Sequence, residues 1–112
     1  MLNLLFVYGT LRSEFDNSGA RLLRLHAVLV RPTTVPGSIY RIRHYPGFRF
    51  EPAGEVHGEL YRLLRPTATL AALDRYEGPD FKRVIWSGAW IYCYQHTPPA
   101  SRRLPSGDFC AS

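Results

Sequence analysis

The sequence is short of cysteine, of lysine and of any long apolar run, and each shortage closes off a class of protein. Cys93 and Cys110 are its only cysteines, 17 positions apart. Such a pair cannot supply a zinc site unaided and bears no likeness to the dense framework of a small secreted domain. Cys93 lies among aromatics and reads as a buried free thiol, with no histidine placed to serve it as a base. Among 14 cationic side chains only Lys82 is a lysine. The net charge of +5 and the pI of about 9.6 invite a nucleic-acid reading, but the arginines are scattered. Only Arg102 and Arg103 sit together, and no finger, homeodomain or basic-zipper spacing is present. The charge reads as general solubility, and a basic rim can also attract an anionic small substrate. No window approaches the ~18 apolar residues of a membrane helix. The apolar amino end lacks a basic n-region and a cleavage signal. The expectation is a soluble protein of a reducing cytoplasm, with neither membrane nor nucleic acid as partner. No repeat or linker divides the chain, so residues 1–112 read as one domain with a polar tail from about residue 97.

What is present is a well-supplied core: 46% of residues are hydrophobic and 13% aromatic, which argues for a folded globule. The stretch Leu4 to Arg12 starts as a β-favouring apolar run too short for a globular helix. It reaches Gly9, where the missing Cβ permits either φ > 0 or a close approach to the N–H. Thr10 and Leu11 follow with consecutive amides able to form a small nest for a carboxylate or carbonyl.

Asn17 or Ser18 is placed to cap a helix over Ala20–Val28. Arg31 to Gly37 then reads as irregular chain ending in a Pro-Gly turn. Ser38–Arg43 is a predicted strand, broken by His44-Tyr45-Pro46-Gly47. Glu55–Leu64 is the next, apolar on both faces towards its end and therefore central. Gly58 within it marks a bulge or a sharp bend. Pro66 ends that strand, Thr67 caps a helix through Tyr76, and Gly78-Pro79 stops it. Phe81–Trp86 and Ala89–Tyr94 form a hairpin about Ser87-Gly88. The order of strand, helix, two strands, helix and hairpin argues for an α+β fold, a strongly curved sheet covered by two short helices, which leaves at least one pair of strands free to be parallel.

Glu77 extends the stripe of Leu70 and Leu73, which carries its carboxylate towards the core at a helix C-terminus. Lost water and the helix dipole both raise a carboxylate's pKa there, towards the range where one side chain accepts and then donates a proton. An outward Glu77 paired with Lys82 or Arg83 fits the local pattern equally well. Asp74 reads as structural, bonding amides or a nearby arginine. Glu55 and Glu59 can line a pocket, but nothing singles either out.

Several segments resemble the gamma-glutamyl cyclotransferase-like proteins of the AIG2-like group, which includes gamma-glutamylamine cyclotransferases. They are Val7-Tyr8-Gly9-Thr10-Leu11-Arg12, Gly37-Ser38-Ile39-Tyr40, Tyr45-Pro46-Gly47 and Val56-His57-Gly58-Glu59-Leu60-Tyr61. Leu73-Asp74-Arg75-Tyr76-Glu77-Gly78, Arg83, Ala89-Trp90-Ile91-Tyr92 and Ser106-Gly107-Asp108-Phe109 complete the likeness. The resemblance implies a small mixed β-barrel with short flanking helices and a ligand cavity between the Tyr-Gly-Thr-Leu loop and the glutamate. It implies Glu77 as the catalytic residue and Tyr8, Gly9, Thr10 and Leu11 as the substrate-binding loop. It further implies cyclisation of a gamma-glutamyl substrate to 5-oxoproline, with no metal or cofactor. Three positions depart from the family pattern: Phe81 where a tyrosine is common, a shorter hairpin tip, and Phe109 in place of a tryptophan. A non-catalytic binder built on the same cavity, or a nucleic-acid-binding small barrel, are the rival readings.

Overall fold

β1 (Leu4–Val7) is apolar throughout because it is the seam between two core layers. In the computed structural model, which describes residues 2–111, Leu5 and Val7 join Leu23 of α1 (Ser18–His26) and Leu70 and Leu73 of α2 (Pro66–Glu77). Phe6 and Tyr8 alternate into the opposite layer, with Val35, Ile39, Phe48 and Phe109. Strand geometry sends successive side chains to opposite faces, so a strand covered on both must be apolar at every step. Phe6 and Phe48 are almost completely buried, a contribution of about 1.5–3 kcal/mol each.

The remaining strands are β2 (Ala27–Pro36), β3 (Ser38–Arg41), β4 (Pro46–Arg49), β5 (Glu55–Leu63), β6 (Phe81–Trp86) and β7 (Ala89–Tyr94). They form a seven-stranded mixed sheet in the order β2-β5-β1-β7-β4-β3, with β6 on the other side of β7. β7 runs parallel to both β1 and β4, and the other ladders are antiparallel. The sheet curls into a half-barrel with the helices on its flank, the α+β arrangement expected. β5 is central as expected, since it pairs with β1 and β2. The hairpin turns on Ser87 (φ 50°) and Gly88 (φ 82°), the positive angles a two-residue connection needs. Among the described residues no helix is long and apolar enough to cross a membrane.

Five local expectations are corrected. The first helix ends at His26, and the chain continues directly into β2, including the segment expected to be irregular. Pro32 and Pro36 are accommodated because β2 is an edge strand, where missing donors face no partner. β4 occupies part of the expected break, with Pro46 as its first residue, a position where proline is tolerated. Gly58 is not the bulge; that irregularity lies in β2 between Leu29 and Arg31. A Cβ on Gly58 would instead stand 2.2 Å from Val7 O and 2.6 Å from the Phe6 ring. α2 starts at Pro66, so Thr67 lies inside it and Arg65 takes the cap position without a side-chain bond. Proline suits that first turn, since its absent N–H would have no helical partner. Beyond these corrections, the tail folds back onto the sheet. Gly107 O accepts from His57 N at 2.8 Å and Leu104 N donates to Ile39 O at 2.9 Å, while Phe109 is buried.

Candidate active site

A strand has two edges, and β6 covers one edge of β7 along its whole length. β1 and β4 must therefore share the other. β1 pairs with β7 at Leu5–Trp90 and Phe6–Ile91, and β4 takes over at Phe48–Cys93. Tyr8 stands where the two part company. Its hydroxyl donates to Tyr92 O at 2.6 Å and accepts from Phe48 N at 3.3 Å, so one buried side chain stitches β7 to β4. Burial first, and then the Glu77 charge, push its pKa well above the usual phenol value. The fork opens a cavity of about 320 Å³.

Tyr8, Gly9, Thr10, Leu11 and Glu77 all line that cavity. Gly9 lies there without φ > 0. The reason for a glycine here is a third one, the packing of Pro46 against the backbone, because a Cβ would stand 2.6 Å from Pro46 Cγ. The loop after Gly9 is anchored through its carbonyls and its later residues. Arg12 N donates to Gly9 O at 3.0 Å. Asn17 Nδ2 donates to Thr10 O at 2.7 Å, and its Oδ1 caps α1 by accepting from Ala20 N at 2.8 Å. Ser13 donates to the buried Glu59 through N at 2.7 Å and Oγ at 2.6 Å. Arg12 Nη1 reaches Asp108 at 2.7 Å. By contrast, the N–H groups of Gly9, Thr10 and Leu11 make no hydrogen bond within the described residues. The loop is thus held from behind with three consecutive donors left over.

Glu77 is the last residue of α2, and Gly78 (φ 82°, ψ −174°) ends the helix with its N–H on Asp74 O. That backbone angle is available to glycine alone at little cost. Among the described residues the Glu77 carboxylate has neither hydrogen bond nor ion pair. Burial pushes its pKa to about 7, and loss of water accounts for the shift without help from the helix end. The outward pairing with Arg83 is not adopted. Arg83 is instead engaged by Asp74, through Nε at 2.9 Å and Nη2 at 3.0 Å.

The rest of the lining is aromatic and weakly charged, with Phe6, Tyr45, Tyr76, Phe81 and Tyr92 beside Pro46 and His44. No arginine or lysine is part of it. Three free amides can take an anionic oxygen, and a solitary carboxylate can take an ammonium or exchange its proton. Both kinds of group belong to residues that line one cavity. Among the described residues no three His, Cys, Asp or Glu side chains converge where a metal ion would sit.

Residues 5–111 match the family described as Gamma-glutamyl cyclotransferase, AIG2-like. The chain belongs to this family. It is 35% identical over 112 residues to the gamma-glutamylcyclotransferase family protein YtfP of Escherichia coli (strain K12), covering 94% of each chain. The solution structure of E. coli YtfP superposes with a TM-score of 0.71 at 33% identity, covering 95% of each chain. An uncharacterized protein of Pyrococcus horikoshii gives a TM-score of 0.80 at 21% identity, over 97% of this chain and 91% of that one. At that identity the likeness speaks for the fold alone. Membership of the AIG2-like family points to enzymatic activity of the gamma-glutamyl cyclotransferase type.

Sequence reasoning missed how this AIG2-like loop is held. Glu59 was indistinguishable from Glu55 in sequence, yet only Glu59 is buried and bound to Ser13. Alternation along β5 was the available signal, since Glu59 shares a face with the core residues Tyr61 and Leu63. Tyr45, Pro46 and Tyr92 reach the cavity only through the β4–β7 pairing, which no local pattern announces.

Proposed function

We propose that the protein cyclises a gamma-glutamyl amide or peptide, releasing 5-oxoproline and a free amine or amino acid. The substrate carries its own nucleophile, the α-amine, within reach of its γ-carbonyl. Glu77 takes a proton from the α-ammonium, and the freed nitrogen attacks the γ-carbon to close a five-membered ring. The amides of Gly9, Thr10 and Leu11 receive the negative charge that develops on the carbonyl oxygen. Glu77 passes its proton to the departing nitrogen, the γ-carbon–nitrogen bond breaks as the tetrahedral centre collapses, and the ring nitrogen gives up its second proton through Glu77 to the freed amine or to solvent, leaving a neutral lactam. Folding one molecule between two walls supplies the effective molarity an intramolecular reaction needs. No redox step or co-reactant enters.

The observation that carries the reading is the pairing, in one cavity, of a solitary carboxylate of pKa about 7 with three free amides. A carboxylate poised there serves as base and then as acid near neutral pH. The test is incubation with a panel of gamma-glutamyl amides and dipeptides, with 5-oxoproline measured by mass spectrometry. Release from at least one member, lost in Glu77→Gln, is expected. A ligand that binds the cavity and comes away unchanged across the panel would turn the assignment to a binding protein.

A further inference from the structure

Asp74 lies one helical turn before Glu77 on α2 and is tied to two strands at once. Its carboxylate accepts from Arg83 of β6 at 2.9 and 3.0 Å, and from the Tyr92 hydroxyl of β7 at 2.7 Å. Arg83 is itself backed by Trp90, its guanidinium carbon 4.2 Å from the ring centroid. Tyr92 closes the circuit, because its carbonyl holds the Tyr8 hydroxyl at the fork. Glu77 has no partner of its own among the described residues, and glycine follows it. Its position therefore depends on what holds the last turn of α2.

We propose that Asp74 is a positioning residue for Glu77: clamped by Arg83 and Tyr92, it fixes the end of α2 against β6 and β7 and presents Glu77 to the cavity. This rests on the reading of Glu77 as the proton carrier. The clamp also cancels a charge. An unpaired Asp74 one turn away would oppose ionisation of Glu77, and an unpaired Arg83 would favour it. Paired with Arg83, Asp74 is held below the usual carboxylate range, chiefly by the arginine's hydrogen bonds.

The other ionisable groups beside Glu77 fall on the cavity lining and its flanks, while Asp80, three residues on, is paired with His96 at 2.7 Å. Tyr8, just after β1, and Tyr92 on β7 are both shifted upward, chiefly by burial. His44 and Tyr45, before β4, share the cavity lining. On the flanks Arg75 and Tyr76 of α2 and Lys82 of β6 are exposed. None of these is bonded to Asp74 except Tyr92.

The two ends of the ion pair predict shifts of opposite sign, which read the charge balance at Glu77, while loss of kcat at unchanged KM reads its positioning. In protein carrying carboxyl-labelled glutamate, with Glu77 assigned by loss of its signal in Glu77→Gln, the carboxyl titration is followed by NMR. Asp74→Asn should lower the Glu77 midpoint and Arg83→Gln should raise it, each by about half a unit. The double variant should return towards the wild type. On a gamma-glutamyl amide that the wild type turns over, both single variants should lose ~10-fold or more in kcat with KM within about two-fold. Arg83→Lys, which restores the charge but not the fork, should recover the midpoint and only part of kcat. Should Asp74→Asn fail to fold, Arg83→Gln and Arg83→Lys carry the test, the first raising the midpoint and the second restoring it. An unmoved midpoint in the variants, or shifts of the same sign, would overturn the proposal. If the wild type releases no 5-oxoproline from any substrate, the proposed reaction falls, while the titrations still decide this inference.

Discussion

Asp74 and Glu77 are two carboxylates three residues apart on one helix, and they are pushed in opposite directions. Asp74 meets Arg83 and Tyr92 and is held below its usual range. Glu77 meets a dehydrating cavity with no partner among the described residues, and its pKa rises to about 7. Their side chains differ by one methylene, so the difference comes from surroundings. On the proposed reading one carboxylate holds a helix in place and the other exchanges a proton.

The largest test of that contrast is to remove the exchangeable proton. Glu77→Gln keeps shape and hydrogen-bonding capacity, so the fold and ligand affinity should persist while turnover falls by about 10²–10⁴-fold. Circular dichroism, calorimetric binding and 5-oxoproline release read the three quantities separately.

Gly9→Ala probes the opposite wall. Its new Cβ would meet Pro46 Cγ at 2.6 Å and Cδ at 2.7 Å, and both strands leaving the fork would have to shift. A stability loss of about 1–3 kcal/mol is expected in denaturant titration, together with weaker ligand binding. Unchanged stability and affinity would mean that the wall yields freely.

The same contrast predicts a pH-dependent stability effect. Glu77 has a folded-state pKa raised above its unfolded value. The folded state therefore binds more protons between about pH 4.5 and pH 7, and stability contributed by the protonated form is lost as pH rises across that interval. Glu77→Gln should accordingly be more stable than the wild type at pH 8, by about 1–3 kcal/mol after allowance for partial exposure. The difference should vanish near pH 4.5, as thermal melts at the two pH values would show. The smallest effect belongs to Thr10→Ala, which leaves all three amides in place. Turnover should stay within about threefold, the scale of one weak exposed contact.

The parts of the fold written as local periodicity were legible in the sequence: β1, the hairpin, α2 with its Gly78 stop, and the central position of β5. The parts that depend on partners were not. β2 contains two prolines and reads as loop until its pairing with β5 is known. β4 starts on a proline inside a segment that reads as a break. Tyr8, Gly9, Thr10, Leu11 and Glu77 were all named from sequence and meet in one cavity. Why they meet was hidden, since it follows from β1 and β4 sharing an edge of β7. Equally hidden was the reason for Gly9, which answers to Pro46, more than thirty residues away in the chain.

The central claim is that Glu77 is a solitary, dehydrated carboxylate facing the cavity, and its own titration tests that most directly. Carboxyl NMR of the wild-type protein from pH 3 to pH 9 should show Glu77 titrating at about 7, with Asp74 below its ordinary range. Addition of a non-hydrolysable gamma-glutamyl analogue should perturb the Glu77 signal and leave that of Asp74 in place. A Glu77 midpoint at about 4.3, the ordinary value for a solvated glutamate, would contradict the account.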